Sequence, residues 1–151
     1  MQNIIDMQTQ TRNLISLATR SLTPEQWFTI PTGHDNNIAW NVGHIITVHQ
    51  SLVYRLSYNE THTTKEFAKM FNPGTSPADW TENPDPSELS ELLTSTHEAF
   101  IADHANGHFT KYRPYATTTG VSLQTVTDGA TFNLFHEGLH LGTILAIRNH
   151  F

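Results

Sequence analysis

Apolar positions recur along this chain with the period of a helix and almost nowhere with the period of a strand. Ile4, Met7, Leu14, Ile15, Leu17 and Ala18 gather with helical spacing, which predicts an amphipathic first helix from about residue 3 to 20. SLTPEQW breaks that pattern and restarts it, with Thr23 as N-cap and Pro24 at the first helical position. IPTGHDN is a loop. From Asn37 a second long helix runs to about Leu56, its stripe formed by Ile38, Val42, Ile45, His49, Leu52 and Leu56 at alternating steps of four and three.

Residues 57 to 86 read differently, with four prolines, many polar residues and one or two helical turns around Lys65 to Phe71. A connection of that length in a compact domain is usually functional or disordered, and Trp80 within it predicts that part of it packs down. A third long helix begins near Ser87, carries Leu89, Leu92, Leu93, Ala99, Phe100 and Ile101, and stops at Gly107. YRPYATTTG is a loop, and Ser122 is read as the cap of a last helix that continues to about Asn149. TTTGV can be extended but is too short to build a sheet. Four long helical segments, no repeat and no shift in composition predict an all-α four-helix bundle, one domain over residues 1–151, with its long connection between the second and third helices.

Composition narrows the partners. A net charge of −6 with only eight scattered Lys and Arg is ill suited to a phosphate backbone, which excludes nucleic acid. No cysteine is present, so neither a disulfide framework nor a thiolate metal site can form. The first twenty residues hold no apolar run long enough for a signal peptide or a membrane span, so a soluble cytoplasmic protein is expected. Ten histidines are the compositional oddity, and they point to metal or proton chemistry.

Two of them stand in HEGLH, His136 to His140, the H-E-x-x-H spacing in which one helix face offers two imidazoles to zinc and the glutamate acts as base. Their row continues through Phe132, Thr143 and Ile147, which is mostly apolar, so burial without a partner would be costly. A shared metal is one such partner, and hydrogen bonds to polar neighbours are the other. The protease reading fails within the sequence. Its third ligand lies downstream, about six residues on as histidine or about twenty on as glutamate, whereas position 146 is Ala146 and the chain ends at Phe151. A third ligand must come from upstream. His44 and His49 stand roughly 140° apart on one helix and cannot both face one ion. The apolar stripe favours His49 slightly. His97, His104 and His108 read as mostly surface or loop histidines, and His34 and His62 as loop residues.

NNIAWNVGHIITVHQ resembles the second helix of the DinB-like superfamily, through Ala39, Trp40, Gly43 and His44. HEGLHLGTILAIRN resembles that family's closing helix, a histidine pair four apart with glycine two residues on, here His136, His140 and Gly142. The resemblance spans the chain, departing from the family's pattern at Leu141 and Thr143. It implies a four-helix bundle with a three-histidine site made by His44, His136 and His140, holding Zn²⁺ or Ni²⁺. It also implies thiol-dependent transfer, or hydrolysis, of a small-molecule substrate with a low-molecular-weight thiol as cosubstrate. A metal-binding or stress-response module on the same fold is the alternative.

Around such a site, Glu137 is a candidate general base, lying about 100° around the helix from His136 and so beside the metal rather than toward it. Asn133 and Thr143 flank the histidine row and are candidates to position the ligands. The opposite side of the last helix carries Leu134, Leu141 and Leu145 beside Gly138 and Gly142, an apolar face to be covered by the long connection or by a second subunit in a homodimer. Free imidazole titrates near 6.5, so metal binding is expected to weaken below about pH 6.

Overall fold

Each predicted helical period becomes a helix in the computed structural model, which describes residues 1–151. α1 spans Gln2–Thr19. The short α2, Pro24–Phe28, starts where Thr23 and Gln26 cap one another reciprocally. α3, Ile38–His49, is capped by Asn37 Oδ1, which accepts from Trp40 N–H at 2.8 Å. Its path continues as a π-helical turn, Gln50–Tyr54, and a 3₁₀ turn, Arg55–Ser57, ending where Tyr58 turns left-handed. α4 is Lys65–Phe71, α5 is Pro86–Ala105 behind the N-cap Asp85, and α6 is Val126–Arg148. No helix is long and apolar enough to cross a membrane.

Two details differ from the sequence reading. The cap of α6 is Thr125, because only Thr125 has an acidic residue three positions on to close a capping box, Asp128. Ser122 instead lies in a two-residue strand, β2 (Ser122–Leu123), paired antiparallel with β1 (Tyr115–Ala116). The TTTGV segment therefore forms the turn of a minimal hairpin, closed by Thr117 N–H to the Val121 carbonyl, with Gly120 at positive φ.

α1, α3, α5 and α6 form the bundle: α1 packs on α5 and α6, and α3 packs on the same two. Along each of the four, burial runs apolar, polar, apolar. One apolar layer joins Ile15 and Ala18 of α1, Ile45 and Ile46 of α3, Leu89 and Leu93 of α5, and Ile144 and Ile147 of α6. A second joins Ile5, Val53, Tyr54, Phe100 and Ala130. Between them in sequence on every helix lie buried polar residues: Gln8 and Arg12, His49, Thr96 and His97, Asn133 and Glu137.

Arg12 organises that belt. Its Nη2 pairs with Glu137 Oε1 at 2.9 Å, and Nε reaches the same oxygen at 3.2 Å. Nη1 donates to the Leu93 carbonyl at 2.7 Å and to Thr96 Oγ1 at 3.0 Å. Gln8 and Asn133 each add a 2.9 Å amide donor to Glu137 Oε1. A fully buried ion pair is sustained by such additional hydrogen bonds.

The 57–86 connection covers α3 through α4. Phe71 enters the main apolar layer, and Trp80 packs against that layer from outside. Gly43 permits this, since a Cβ there would lie 2.4 Å from the Phe71 ring. The outer face of α6 stays uncovered.

Arg12→Met leaves the Glu137 carboxylate buried without its cation. It is expected to lower unfolding stability in urea by about 3–5 kcal/mol, and a parent-like midpoint would contradict the structural role of the pair.

Candidate metal centre

His44 projects from α3 and His136 and His140 from α6, two helices in direct contact. One ring nitrogen from each lies within 4.8 Å of the others. His136 Nε2 and His44 Nε2 are 3.2 Å apart. Two outer nitrogens are tied down. His44 Nδ1–H donates to the Phe71 carbonyl at 2.7 Å, which leaves the lone pair on Nε2. His140 Nδ1 meets Asn41 Oδ1 at 2.8 Å. Asn41 Nδ2 donates to the Asn37 carbonyl at 2.8 Å, which fixes the amide so that oxygen faces His140, and Nδ1 there must carry the proton. Trp40 stacks on His44 at 4.4 Å and 12°, anchored by its Nε1–H to Thr75 Oγ1.

The donor set fits a divalent cation. Two Nε2 atoms 3.2 Å apart repel unless a proton or a cation lies between their lone pairs. The outer nitrogen of His136, Nδ1, is buried without a partner, so the ring has no protein acceptor holding its tautomer. Burial lowers all three imidazoles. His44 falls below 6.5, His136 to about 3 with help from its histidine neighbours, and His140 to about 4. Protons therefore compete for these lone pairs only at lower pH than the value near 6 expected from free imidazole.

The other candidates are placed elsewhere. His49 is fully buried beside Phe100, its Nδ1 facing the Gln50 amide, and takes no part in the cluster that its apolar stripe favoured. His97 is buried too, bonded to Thr9 Oγ1 at 2.8 Å, rather than at the surface. Glu137, the sequence candidate for a base, is fully buried and held by Arg12, Gln8 and Asn133. Asn133 thus serves Glu137, and Thr143 bonds within its own helix to the Leu139 carbonyl. His62 and His108 flank Asp103 at the far end of α5.

Sequence reasoning missed Asn41 and the Phe71 carbonyl. Asn41 stands three residues before His44 and on the same face of α3, a spacing that carries the information. A backbone carbonyl supplied by a distant helix leaves no trace in residue identity. Arg12, also missed, interrupts the stripe Ile5, Gln8, Arg12, Ile15 with a charge.

Folded His44, His49, His97, His136 and His140 all bind protons less readily than the unfolded chain. The stability this gives is fully present above pH 6.5 and is lost as pH falls toward the folded values, about 4 for His97 and His140. Metal-free protein is thus expected to unfold at lower urea as pH drops from 7.5 through about 5, and a flat stability profile would contradict the burial of these rings.

No curated protein matches the chain. The family model described as the DinB superfamily matches residues 8–144, from Gln8 in α1 to Ile144 in α6 and through every helix that builds the cluster, so the chain belongs to the DinB superfamily.

Proposed function

We propose that this chain is a metal-dependent enzyme, a transferase or hydrolase acting on a small molecule at His44, His136 and His140, with Zn²⁺ or Ni²⁺ as the ion and a low-molecular-weight thiol as cosubstrate. The observation that carries this reading is the convergence of three imidazole nitrogens within 4.8 Å. A divalent ion on three neutral ligands keeps its charge and an open position, and so supplies Lewis acidity to a water or a thiol. The chain itself keeps the three rings neutral by burial. Phe71 and Asn41 aim two of them, and Trp40 shields one face of His44 from solvent. Sulfur must arrive on the cosubstrate, because the chain has no cysteine.

One observation favours the second reading, a metal-binding module without catalysis. The acidic residue next to the ligands is locked inside the bundle, and only histidines form the cluster. Purified protein is expected to hold about one ion per chain, and His140→Ala to lose most of it. The metal-loaded protein should conjugate low-molecular-weight thiols to small electrophiles faster than His140→Ala does. Metal binding without turnover across the thiol panel would select the module, and full metal retention in His140→Ala would remove the centre.

A homodimer belongs to the same proposal. The exposed apolar face of α6 differs from the one expected from sequence: Leu134 is half-buried and Leu141 packs against the core, whereas Phe135, Leu139 and Leu145 are 55%, 57% and 42% exposed beside Gly138 and Gly142, which no neighbouring element approaches. Sedimentation is expected to give a dimer that Leu139→Glu converts to monomer; a monomeric parent would contradict it.

A further inference from the structure

The glutamate of HEGLH serves neither as ligand nor as exposed base. We infer that Glu137, held by Arg12, is a positioning residue that sets the rotation of α6 and thereby aims His136 and His140 at His44.

The need for such a device lies in the pattern of α6. Its buried arc carries Ala130, Asn133, Glu137, Ile144 and Ile147. Turned by roughly 100°, the helix would present Leu134, Gly138, Leu141, Gly142 and Leu145 to the bundle, an arc equally apolar and free of charge. Gly129 lies close against the Leu52 carbonyl and the Tyr112 hydroxyl at the start of α6, but over the histidine-bearing turns neither Gly138 nor Gly142 meets a neighbour that would lock the helix by shape. Apolar burial thus specifies the rotation of those turns weakly, with Leu141 of the alternative arc already packed against the core.

The ion pair removes that freedom. Glu137 Oε1 receives bonds from Gln8 and Arg12 of α1 and Asn133 of α6, while Arg12 Nη1 is fixed to Leu93 and Thr96 of α5. Turning Glu137 outward would strand the Arg12 guanidinium in the interior, so the alternative arc is excluded. With Glu137 directed inward, His136 and His140 fall on one side of it, roughly 40° apart, at the α3 seam.

The metal consequence rests on the proposed three-histidine centre; the rotation does not. Two variants test both. R12M/E137M replaces the charges with apolar residues of similar bulk, and E137D keeps the charge on a shorter arm. Because the chain lacks cysteine, single T127C and I144C reporters, one on the arc the turn would bury and one on the arc it would expose, read the rotation of α6 through reaction with Ellman's reagent without metal. In the parent background, position 127 is expected to react far faster than position 144, as exposed and buried positions do. In folded R12M/E137M that ratio is expected to shrink at least about tenfold, with Co²⁺ affinity falling about 10–100-fold and its visible spectrum altered. A folded double variant that keeps either the parental labelling ratio or the parental Co²⁺ affinity within about twofold overturns the inference. Should the double variant not fold, E137D decides by the same criteria. A parent that binds no Co²⁺ defeats the metal centre, and the labelling ratio then decides the rotation alone.

Discussion

A guanidinium and a carboxylate withdrawn from water must be paired, and much of this bundle is arranged around that requirement, although Glu137 Oε2 stays buried without a partner. Arg12 has its donors spent on two other helices, and Glu137 concentrates its bonds on one oxygen. Such a pair adds little net stability compared with an apolar replacement, because desolvation offsets most of the Coulomb gain. What it adds is geometry. Apolar layers on either side supply the drive to collapse, and the polar belt allows few of the possible helix rotations.

The histidine cluster lies at the edge of the same belt. His44 shares α3 with fully buried His49, and His136 and His140 bracket Glu137. Its tuning reaches back to packing. Gly43 lets Phe71 lie against α3, Phe71 presents its carbonyl to His44, and that bond selects the nitrogen whose lone pair faces the cluster. Asn37 serves twice, capping α3 and holding the Asn41 amide in the orientation that sets the tautomer of His140. A change at Gly43 or Asn37 would reach the imidazoles without touching them.

The four-helix architecture was legible because its cause is periodic: one apolar stripe per helix, with caps such as Thr23, Asn37 and the α5 start stated locally. The centre was legible in part. Spacing paired His136 with His140, but periodicity placed His49 ahead of His44, and only the family resemblance pointed to His44. The apolar stripe misleads there because it measures burial, and the polar belt buries His49 deeply for reasons unrelated to metal. His97 went unrecognised as a buried residue for the same reason. The hairpin and the Thr125 cap lay below the resolution of pattern reading, since two-residue strands have no period to detect.

The H-E-x-x-H spacing itself shows why a motif fixes less than it seems to. On any helix the two histidines share a face and the glutamate stands about 100° from one and 60° from the other. Which side of that pair is solvent depends on where the third ligand comes from. When it arrives from downstream, as in zinc peptidases, the glutamate can border an open cleft. Here the third imidazole comes from α3, a neighbour inside the bundle, so the cluster sits at the α3–α6 seam and the flank bearing Glu137 faces the axis. A carboxylate in that place cannot stay unpaired, and α1 supplies Arg12 to meet it. The glutamate's burial thus follows from the direction of the third imidazole, and five residues of sequence do not contain that direction.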